Sequence, residues 1–181
     1  MELTEKTLNS KTVFDGRILK IMVDDIELPN GHKSNREVVG HPGGVCVAAL
    51  DEDNYLYFVK QYRYPYHEVV TELPAGKLEK GQTPLENGKR ELKEEVGAEG
   101  YSYISLGQLY PSPGYTQEII HLYACRIKSI GSQNPDEDEF LNVEKIHIDK
   151  AVEMVLNNQL PDAKTQTAVL KLAMLLKSGK I

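Results

Sequence analysis

The chain has 181 residues, of which 40% are hydrophobic, so it is long enough for one compact domain with an appendage. Its formal net charge is −6 and its pI is near 5.4, which gives no electrostatic footprint for nucleic acid or for an anionic membrane surface. We therefore expect a single catalytic unit whose partners include no nucleic acid and no membrane.

The start of the chain and its two cysteines indicate a compartment. The first residues, MELTEKTLNSK, lack the apolar run of a signal peptide, and no segment approaches roughly 18 consecutive apolar residues. Cys46 and Cys125 stand in apolar surroundings without CxxC spacing, so buried thiols are expected rather than metal ligands or a bridge. We expect a cytoplasmic protein.

Strand-like segments come first along the chain. Between about Thr12 and Val39 the sequence predicts an antiparallel pair joined by Asn30 and Gly31, which form the strongest short hairpin signal. Beyond Gly44, short runs of β length continue on both sides of a central helix: VCVAALDE, YLYFVKQYRY, EVVTELPAG, YISLGQLYP, EIIHLYACRIKSI and FLNVEKIHI. This order of segments predicts an α/β fold with a mixed sheet and inserted helices.

The central helix has marked ends. A capping box of Thr83 and Glu86 precedes it, Pro84 takes its first position, and Gly97 supplies a left-handed stop. Its buried stripe is predicted to consist of Leu85, Leu92 and Val96. Two further helices are predicted near the C-terminus, at about Asp149–Asn157 and after a cap at Asp162, the second with an apolar face of Ala168, Val169, Leu172, Leu175 and Leu176.

Three carboxylates crowd one side of the central helix. Glu91, Glu94 and Glu95 span an arc of roughly 100° beside the apolar stripe, with Glu91 and Glu95 one turn apart. Like charges at this spacing repel each other, so a bound divalent cation would turn an unfavourable cluster into a site. The alternative is a solvated acidic face, which is the common reason for a charged run on a helix.

The stretch from 76 to 98, GKLEKGQTPLENGKRELKEEVGA, resembles the Nudix box. The matching positions are Gly76, Arg90, Glu91, Leu92, Glu94, Glu95, Gly97 and the small apolar Ala98. One position departs from the pattern, because Gln82 stands where the family has Glu. So many fixed positions over a short stretch make this motif far more specific than an isolated glycine-rich loop.

The resemblance covers nearly the whole chain. The segments FDGRILKIMVDDIELPNG, REVVGHPGGV, KQYRYP, ELPAGKLEKG, YPSPGYTQE and DEDEFLNVEKI are similar to ADP-ribose pyrophosphatases of the Nudix superfamily. This likeness implies an α/β/α sandwich with a mixed sheet at residues 43–181, preceded by an antiparallel β subdomain at residues 1–42. It also implies a domain-swapped homodimer that grips its substrate between the subunits.

The implied activity is hydrolysis of the diphosphate of ADP-ribose, a small-molecule nucleotide sugar, to AMP and ribose 5-phosphate. Hydrolysis of other nucleoside diphosphate sugars, such as ADP-glucose or GDP-mannose, is the near alternative, and a Nudix module that senses nucleotides without hydrolysing them is a more distant one. The negative charge of a diphosphate obstructs attack by water, so a metal ion and a proton-accepting carboxylate are needed. Hard oxygen ligands favour Mg²⁺, with Mn²⁺ as the alternative.

Residue roles follow from the resemblance position by position. Glu91 and Glu95 correspond to the principal metal ligands and count as catalytic, Glu94 lies beside them, and the backbone carbonyl of Ala75 joins the set.

The acidic loop Asp136–Glu139 is the second part of the implied site. On the family's pattern, Glu137 is the base that activates water and Glu139 is an additional metal ligand. The alternative for this loop is a mobile acidic connection between strands.

Arg36 and Arg63 are candidates for holding phosphates, because a guanidinium group can bind phosphate oxygens through two parallel hydrogen bonds. Either arginine could instead belong to a structural ion pair, for example with Glu37 or Glu72. The resemblance adds three further candidates for contact with the substrate, which are Glu72, Pro113 and Gly114.

Gln82 and Gly88 are the unusual residues of the box. In the family, the Glu at position 82 orients the box arginine, so here we expect Gln82 to give Arg90 an ordinary hydrogen bond, weaker by ~1 kcal/mol than a charge-assisted one. Activity should survive this change. Gly88 inside the helix costs about 1 kcal/mol relative to Ala unless close packing requires it.

Overall fold

The computed structural model describes residues 2–136 and 139–180. Its strands are β1 (Lys6–Asp15), β2 (Lys20–Glu27), β3 (Lys33–Gly40), β4 (Gly44–Leu50), β5 (Tyr55–Arg63), β6 (Glu68–Glu72), β7 (Ala75–Lys77), β8 (Ala98–Leu109), β9 (Ile120–Ile130) and β10 (Leu141–His147). Its α-helices are α1 (Pro84–Val96), α2 (Ile148–Leu156) and α3 (Ala163–Lys177). The described residues divide into two compact units.

The first unit is built around an antiparallel sheet in the order β1-β2-β3. The predicted hairpin is confirmed: the Leu28 N–H donates to the His32 carbonyl at 2.8 Å, and Gly31 takes a positive φ of 81° in the turn between β2 and β3. The third strand, β1, was not predicted. All ten of its residues are exposed, so it carries no pattern of buried positions that could reveal it.

The first unit also contains Tyr110–Ile119, a segment distant in sequence from the predicted boundary at residue 42. Backbone hydrogen bonds attach this segment to Val39 at the end of β3. The Val39 N–H donates to the Tyr115 carbonyl at 2.7 Å, and the Val39 carbonyl accepts from the Gln117 N–H at 2.9 Å.

The second unit contains a seven-stranded mixed sheet. Its main order is β10-β5-β4-β9-β8, with β6 paired to β5 and β7 paired to β4. The neighbours β4 and β9 run parallel, while the other pairs are antiparallel. This arrangement confirms the predicted mixed sheet.

Helices cover both faces of that sheet. On β4, where every residue is buried, Val47 and Ala49 pack in one core cluster with Leu92 and Val96 of α1. The alternate residues of β4 pack in a second cluster together with α2 and α3, whose buried members include Ile148, Ala151, Val155, Ala168, Val169 and Leu172. Because side chains alternate across a strand, these two clusters lie on opposite faces, which confirms the α/β/α sandwich.

The C-terminal helices lie where the sequence predicts them, and Asp162 caps α3 by accepting a hydrogen bond from the Thr165 N–H at 2.9 Å. Within residues 2–136 and 139–180, no helix is long and apolar enough to cross a membrane.

Candidate active site

Helix α1 is held in place at both ends. The Thr83 hydroxyl accepts from the Glu86 N–H at 3.2 Å, and the Glu86 carboxylate accepts from the Thr83 N–H at 2.7 Å, so the predicted capping box is confirmed. Gly97 ends the helix in the left-handed conformation with φ of 74°. A residue not singled out from the sequence, the buried Asn87, accepts from the Glu79 N–H at 3.0 Å and thereby fastens the preceding loop to the helix.

Two glycines allow close packing around α1: Gly88 against strand β4, and Gly76 against the carboxylate of Glu91. A Cβ at Gly88 would lie 3.0 Å from a methyl group of Val45 and from one of Val47, so close packing of α1 on β4 uses the missing side chain. A Cβ at Gly76 would overlap the carboxylate of Glu91. Gly76 therefore leaves the space that the Glu91 carboxylate fills.

The helix carboxylates sit at different depths. Glu91 and Glu95 are buried, at 7% and 2% exposure, on the side of α1 that packs against the sheet. Glu94 is half-buried. The Glu95 carboxylate accepts a hydrogen bond from the Ala75 N–H at 3.0 Å, which joins the helix to β7. A fully solvated acidic face is thereby excluded.

Arg90 lies among these carboxylates. Its Nη2 donates to Glu91 at 2.6 Å, its Nη1 donates to Glu94 at 2.5 Å, and Nη2 lies 3.4 Å from Glu79. We call Glu79, Arg90, Glu91, Glu94 and Glu95 the box cluster. It sets four carboxylates against one guanidinium group, so negative charge predominates in it.

The prediction that Gln82 hydrogen-bonds to Arg90 was wrong. Gln82 instead donates through Nε2 to Glu79 at 2.8 Å, and Arg90 takes carboxylates as its hydrogen-bonding partners. The reason is geometric, since Arg90 has Glu91 and Glu94 of its own helix within reach and charge-assisted bonds are stronger than a bond to a neutral amide. Glu79 links the two residues indirectly, because both contact its carboxylate.

Burial and excess negative charge shift the acids of the box cluster. Burial raises the pKa of Glu95 to about 8, against the opposing hydrogen bond from Ala75 and with help from the nearby charge of Glu91 and Glu139. Burial also raises the pKa of Glu91, although attraction to Arg90 opposes the shift. The Arg90 pKa is raised, because its attraction to Glu91 and Glu94 outweighs the effect of burial.

The carboxylate oxygens of the box cluster are chemically suited to bind a hard divalent cation. The box cluster offers only carboxylate oxygens, and an added positive charge would relieve the repulsion among them. In residues 2–136 and 139–180, however, no three acidic, histidine or cysteine side chains are arranged as a metal-holding group. Glu91 and Glu94 are turned to Arg90, so a cation would compete with that guanidinium for their oxygens.

The acidic loop follows a segment fastened to the end of α1. The Gly131 N–H donates to the Gly97 carbonyl at 2.8 Å, the Asn134 N–H donates to the Glu94 carbonyl at 2.9 Å, and the Gln133 side chain donates to the Glu95 carbonyl. Glu139 is near enough for its charge to act on Glu91 and Glu95. Glu137 lies outside the described residues.

A second group of charges forms where β5, β6 and α3 meet. Arg63 donates to Glu72 through Nε at 2.6 Å and through Nη2 at 2.7 Å, so the ion-pair alternative for Arg63 is present. Lys164 donates to the same Glu72 carboxylate and, at 2.9 Å, to Asp162. We call Arg63, Glu72, Asp162 and Lys164 the strand cluster.

Charge in the strand cluster is balanced, and its pKa shifts differ accordingly. Burial acts to raise the pKa of Glu72, but the hydrogen bonds from Arg63 and the charge of Lys164 outweigh it, so the pKa is lowered. Burial acts to lower the pKa of Lys164, but attraction to Asp162 and Glu72 outweighs it, so the pKa is raised. Glu72 and Lys164 are therefore both held in their charged forms near neutral pH.

Lys164 was not predicted as part of any site. Its one sequence signal is a cation in the first turn of α3, where the helix dipole disfavours positive charge. Such a residue needs anionic partners, and here Glu72, distant in sequence, supplies one.

Three of the predicted substrate-binding residues, Arg36, Pro113 and Gly114, belong to the first unit, and their contacts are given within that unit. Arg36 pairs with Glu5, through Nε at 3.0 Å and through Nη2, rather than with Glu37. Pro113 and Gly114 are exposed in the turn that follows Ser112, whose carbonyl accepts from the Thr116 N–H at 3.1 Å.

Comparison with known proteins adds two family matches. The family described as "NUDIX domain" matches residues 40–168, and the one described as "Nucleoside diphosphate sugar hydrolase N-terminal domain" matches residues 5–39. The chain is 42% identical to a protein of Bacillus methanolicus named "Methanol dehydrogenase activator", over 91% of this chain and 90% of that one. It is 38% identical to the "ADP-ribose pyrophosphatase" of Bacillus subtilis (strain 168), over 92% of this chain and 91% of that one.

A solved structure described as "Crystal structure of ADP compounds hydrolase" matches over 100% of both chains with a TM-score of 0.85. Its sequence identity is 21%, so this match shows the shared fold alone. The NUDIX match spans most of the chain and includes the whole box cluster, and relatives well above 30% identity cover nearly the full length. The chain therefore belongs to the Nudix family of hydrolases.

Proposed function

We propose that this Nudix hydrolase cleaves the diphosphate of ADP-ribose, with a divalent metal ion, to give AMP and ribose 5-phosphate. The observation that carries the proposal is the buried carboxylate face of α1, where Glu91 and Glu95 lie beside Arg90. A relative at 38% identity that bears the name "ADP-ribose pyrophosphatase" supports the choice of substrate.

Enzymes of this family generally need divalent metal ions. Here Glu91 and Glu95, with Glu94, Glu139 and the Ala75 carbonyl, would hold Mg²⁺, and Mn²⁺ would suit the same oxygen ligands. The metal would neutralise diphosphate oxygens and make water more acidic.

The remaining residues would bind and orient. Arg63 has its Nε and Nη2 engaged by Glu72, which leaves Nη1 without a partner among the described residues and suited to a phosphate oxygen. Arg36, Pro113 and Gly114 would contribute substrate contacts from the first unit. Glu137 would accept the proton of the attacking water, a role that rests on the resemblance of the acidic loop.

The test is direct product analysis. The purified chain is incubated with ADP-ribose and Mg²⁺ between neutral and alkaline pH, and AMP and ribose 5-phosphate are measured by chromatography, with excess chelator as the control. Equal amounts of both products that vanish with chelator support the proposal. Absence of AMP at every pH, with ADP-ribose binding retained in calorimetry, would favour a sensing module instead.

Substrate preference needs a panel. We expect kcat/KM for ADP-ribose to exceed that for ADP-glucose, GDP-mannose and diadenosine compounds. A higher value for any of the others would move the proposal to that nucleotide while leaving the hydrolytic reaction in place.

A second candidate function is activation of an alcohol dehydrogenase. The relative named "Methanol dehydrogenase activator" has 42% identity over 91% of this chain, which is the observation that favours it. The test adds the chain to a methanol dehydrogenase and measures the rate of methanol oxidation. Stimulation by the wild type but not by Glu95→Gln would indicate that hydrolysis and activation use one site, and no stimulation would remove this candidate.

We further propose that two copies of the chain associate through the first unit. Every residue of β1 is exposed, and Val13 and Phe14 on that strand are 53% and 54% exposed, so association through β1 would remove apolar surface from water. Light scattering of the purified chain should give twice the monomer mass, and replacement of both residues by Ser should give monomers. A wild type of monomer mass would overturn the dimer.

The compartment is proposed from the thiols. Cys46 and Cys125 are buried and free, and burial raises the pKa of both, so neither is a reactive nucleophile at neutral pH. This suits a reducing cytoplasm. Localisation of a fluorescent fusion in cells would check it.

A further inference from the structure

The first turn of α3 holds the end of β6 and the residue that follows it at two separate points. The Lys164 ammonium binds the carboxylate of Glu72, and the Thr165 hydroxyl accepts from the Leu73 N–H at 2.9 Å. Lys164, Thr165, Glu72 and Leu73 are all largely buried, so water is largely kept from these contacts.

The segment held in this way leads directly to the box cluster. The Pro74 carbonyl accepts from the Val47 N–H at 2.9 Å, and the Ala75 N–H donates to Glu95 at 3.0 Å. A shift at Glu72 or Leu73 would therefore be passed along a few bonds to the backbone beside Glu95.

The contact between Lys164 and Glu72 also affects the orientation of Arg63. Glu72 engages Arg63 by two parallel bonds, and a guanidinium held in this manner has one orientation. The Glu72 carboxylate is itself oriented by Lys164, whose other partner, Asp162, is the helix cap. The Arg63 side chain is 37% exposed, whereas those of Glu72 and Lys164 are 3% and 12% exposed, so the guanidinium is more open to solvent than the groups that anchor it.

We propose that Lys164 is a positioning residue of the active site, which orients the Glu72 carboxylate and through it fixes Arg63 for contact with the phosphates of the substrate. This inference rests on the proposed function for the identity of the substrate. We assign Lys164 no direct contact with the substrate, because its ammonium pairs with Glu72 and Asp162.

The experiment compares Lys164→Met with Lys171→Met. Both substitutions remove a lysine charge from α3, but the Lys171 ammonium bonds to the Leu106 carbonyl and takes no part in either cluster. Two quantities are measured for each variant: the rate at which the Arg63 Nε–H exchanges with water in ¹⁵N NMR, assigned with Arg63→Lys, and kcat and KM for ADP-ribose.

For Lys164→Met we expect exchange of the Arg63 Nε–H to become about tenfold faster, and KM to rise about tenfold with kcat changed less than threefold. Lys171→Met should change neither quantity. Lys164→Arg keeps the charge, so its KM should lie between those of Lys164→Met and the wild type. If Lys164→Met is not folded by circular dichroism, Lys164→Gln takes its place in both measurements.

An unchanged Arg63 signal in Lys164→Met would overturn the proposal, as would an equal change in Lys171→Met or a faster exchange without a rise in KM. The proposed function fails separately, since it is judged by wild-type turnover. In that event the Arg63 signal still decides whether Lys164 positions this guanidinium.

Discussion

The box cluster and the strand cluster both place carboxylates beside an arginine in the second unit, but their charges are composed differently. The box cluster has four carboxylates for one guanidinium, and the pKa values of Glu91 and Glu95 are raised. In the strand cluster two cations meet two carboxylates, and the pKa of Glu72 is lowered.

This difference in charge suits the two clusters to different roles. A balanced cluster is stable by itself and holds its members in one geometry, which suits the orientation of a binding group. A cluster with excess negative charge is unfavourable by itself and is relieved by a cation from outside. The two clusters are joined at Ala75, which follows Glu72 closely in sequence and donates to Glu95.

The largest effect is expected from Glu95→Gln in the box cluster. Loss of a buried carboxylate that we propose as a metal ligand should lower kcat by about a thousandfold, because a metal ion that stabilises phosphate charge lowers the barrier by several kcal/mol. The fold should persist, since a neutral amide is less costly to bury than a carboxylate. Steady-state kinetics and thermal unfolding check both statements.

Glu99→Gln is the matched control for that change, because Glu99 is exposed and its one ion pair among residues 2–136 and 139–180 is with Lys93, which is not part of the box cluster. It should retain wild-type turnover. Full activity of Glu95→Gln would contradict the proposed role of the box cluster as a metal site.

In the strand cluster, Glu72→Gln should cost stability instead. Removal of the shared carboxylate charge leaves Arg63 without its bidentate ion pair and the buried Lys164 paired with Asp162 alone, and breaking a buried pair costs roughly 3 kcal/mol in the free energy of unfolding. Urea unfolding measures this loss. Glu144→Gln, which breaks the exposed pair with Lys60, should cost at most about 0.5 kcal/mol.

The same variant should change the pH dependence of stability. The pKa of Glu72 is lowered in the folded state, so its stabilisation is present above the unfolded pKa of about 4.3 and is lost as pH falls through the lower folded value. The wild type should lose this stabilisation in acid, whereas Glu72→Gln should not. Parallel pH profiles for the two proteins would show that the cluster does not hold Glu72 ionised.

Gly76→Ala tests how closely the box cluster is packed. The new Cβ would overlap the Glu91 carboxylate, which would have to move away from Arg90. We expect a loss of about 1–3 kcal/mol in unfolding free energy and a weaker response of activity to Mg²⁺. A variant with wild-type stability and metal response would mean that Glu91 has room to spare.

The smallest effect is expected from Gln82→Glu, which restores the residue typical of the box. It would exchange the hydrogen bond to Glu79 for repulsion between two exposed carboxylates, at a cost of a few tenths of a kcal/mol. Thermal unfolding measures this difference. A clear gain in stability would indicate that the new carboxylate reaches Arg90 after all.

Local signals predicted much of the fold. The hairpin at Asn30 and Gly31, the capping box at Thr83 and the caps at Gly97 and Asp162 all depend on neighbouring residues, and all are present. Strand β1 escaped prediction because its residues are exposed and its pairing with β2 involves the backbone, which leaves no periodic pattern.

Candidate site residues divide in the same manner. Glu91, Glu94 and Glu95 could be placed on one face from helical spacing, and their depth in the structure agrees with a site. The partner of Arg90 could not be foreseen, because the choice between Gln82 and the helix carboxylates depends on how the preceding loop folds back through Glu79 and Asn87.

The sequence by itself determined the family, the mixed sheet and the carboxylate face of α1, since motifs and periodicity express contacts between residues that are near in the chain. Only the tertiary structure decided which charges meet. Lys164 joins Glu72 across 92 residues, and Thr165 joins Leu73 across the same separation. Such contacts form when the sheet and helices pack together, so no local pattern of residue types can predict them.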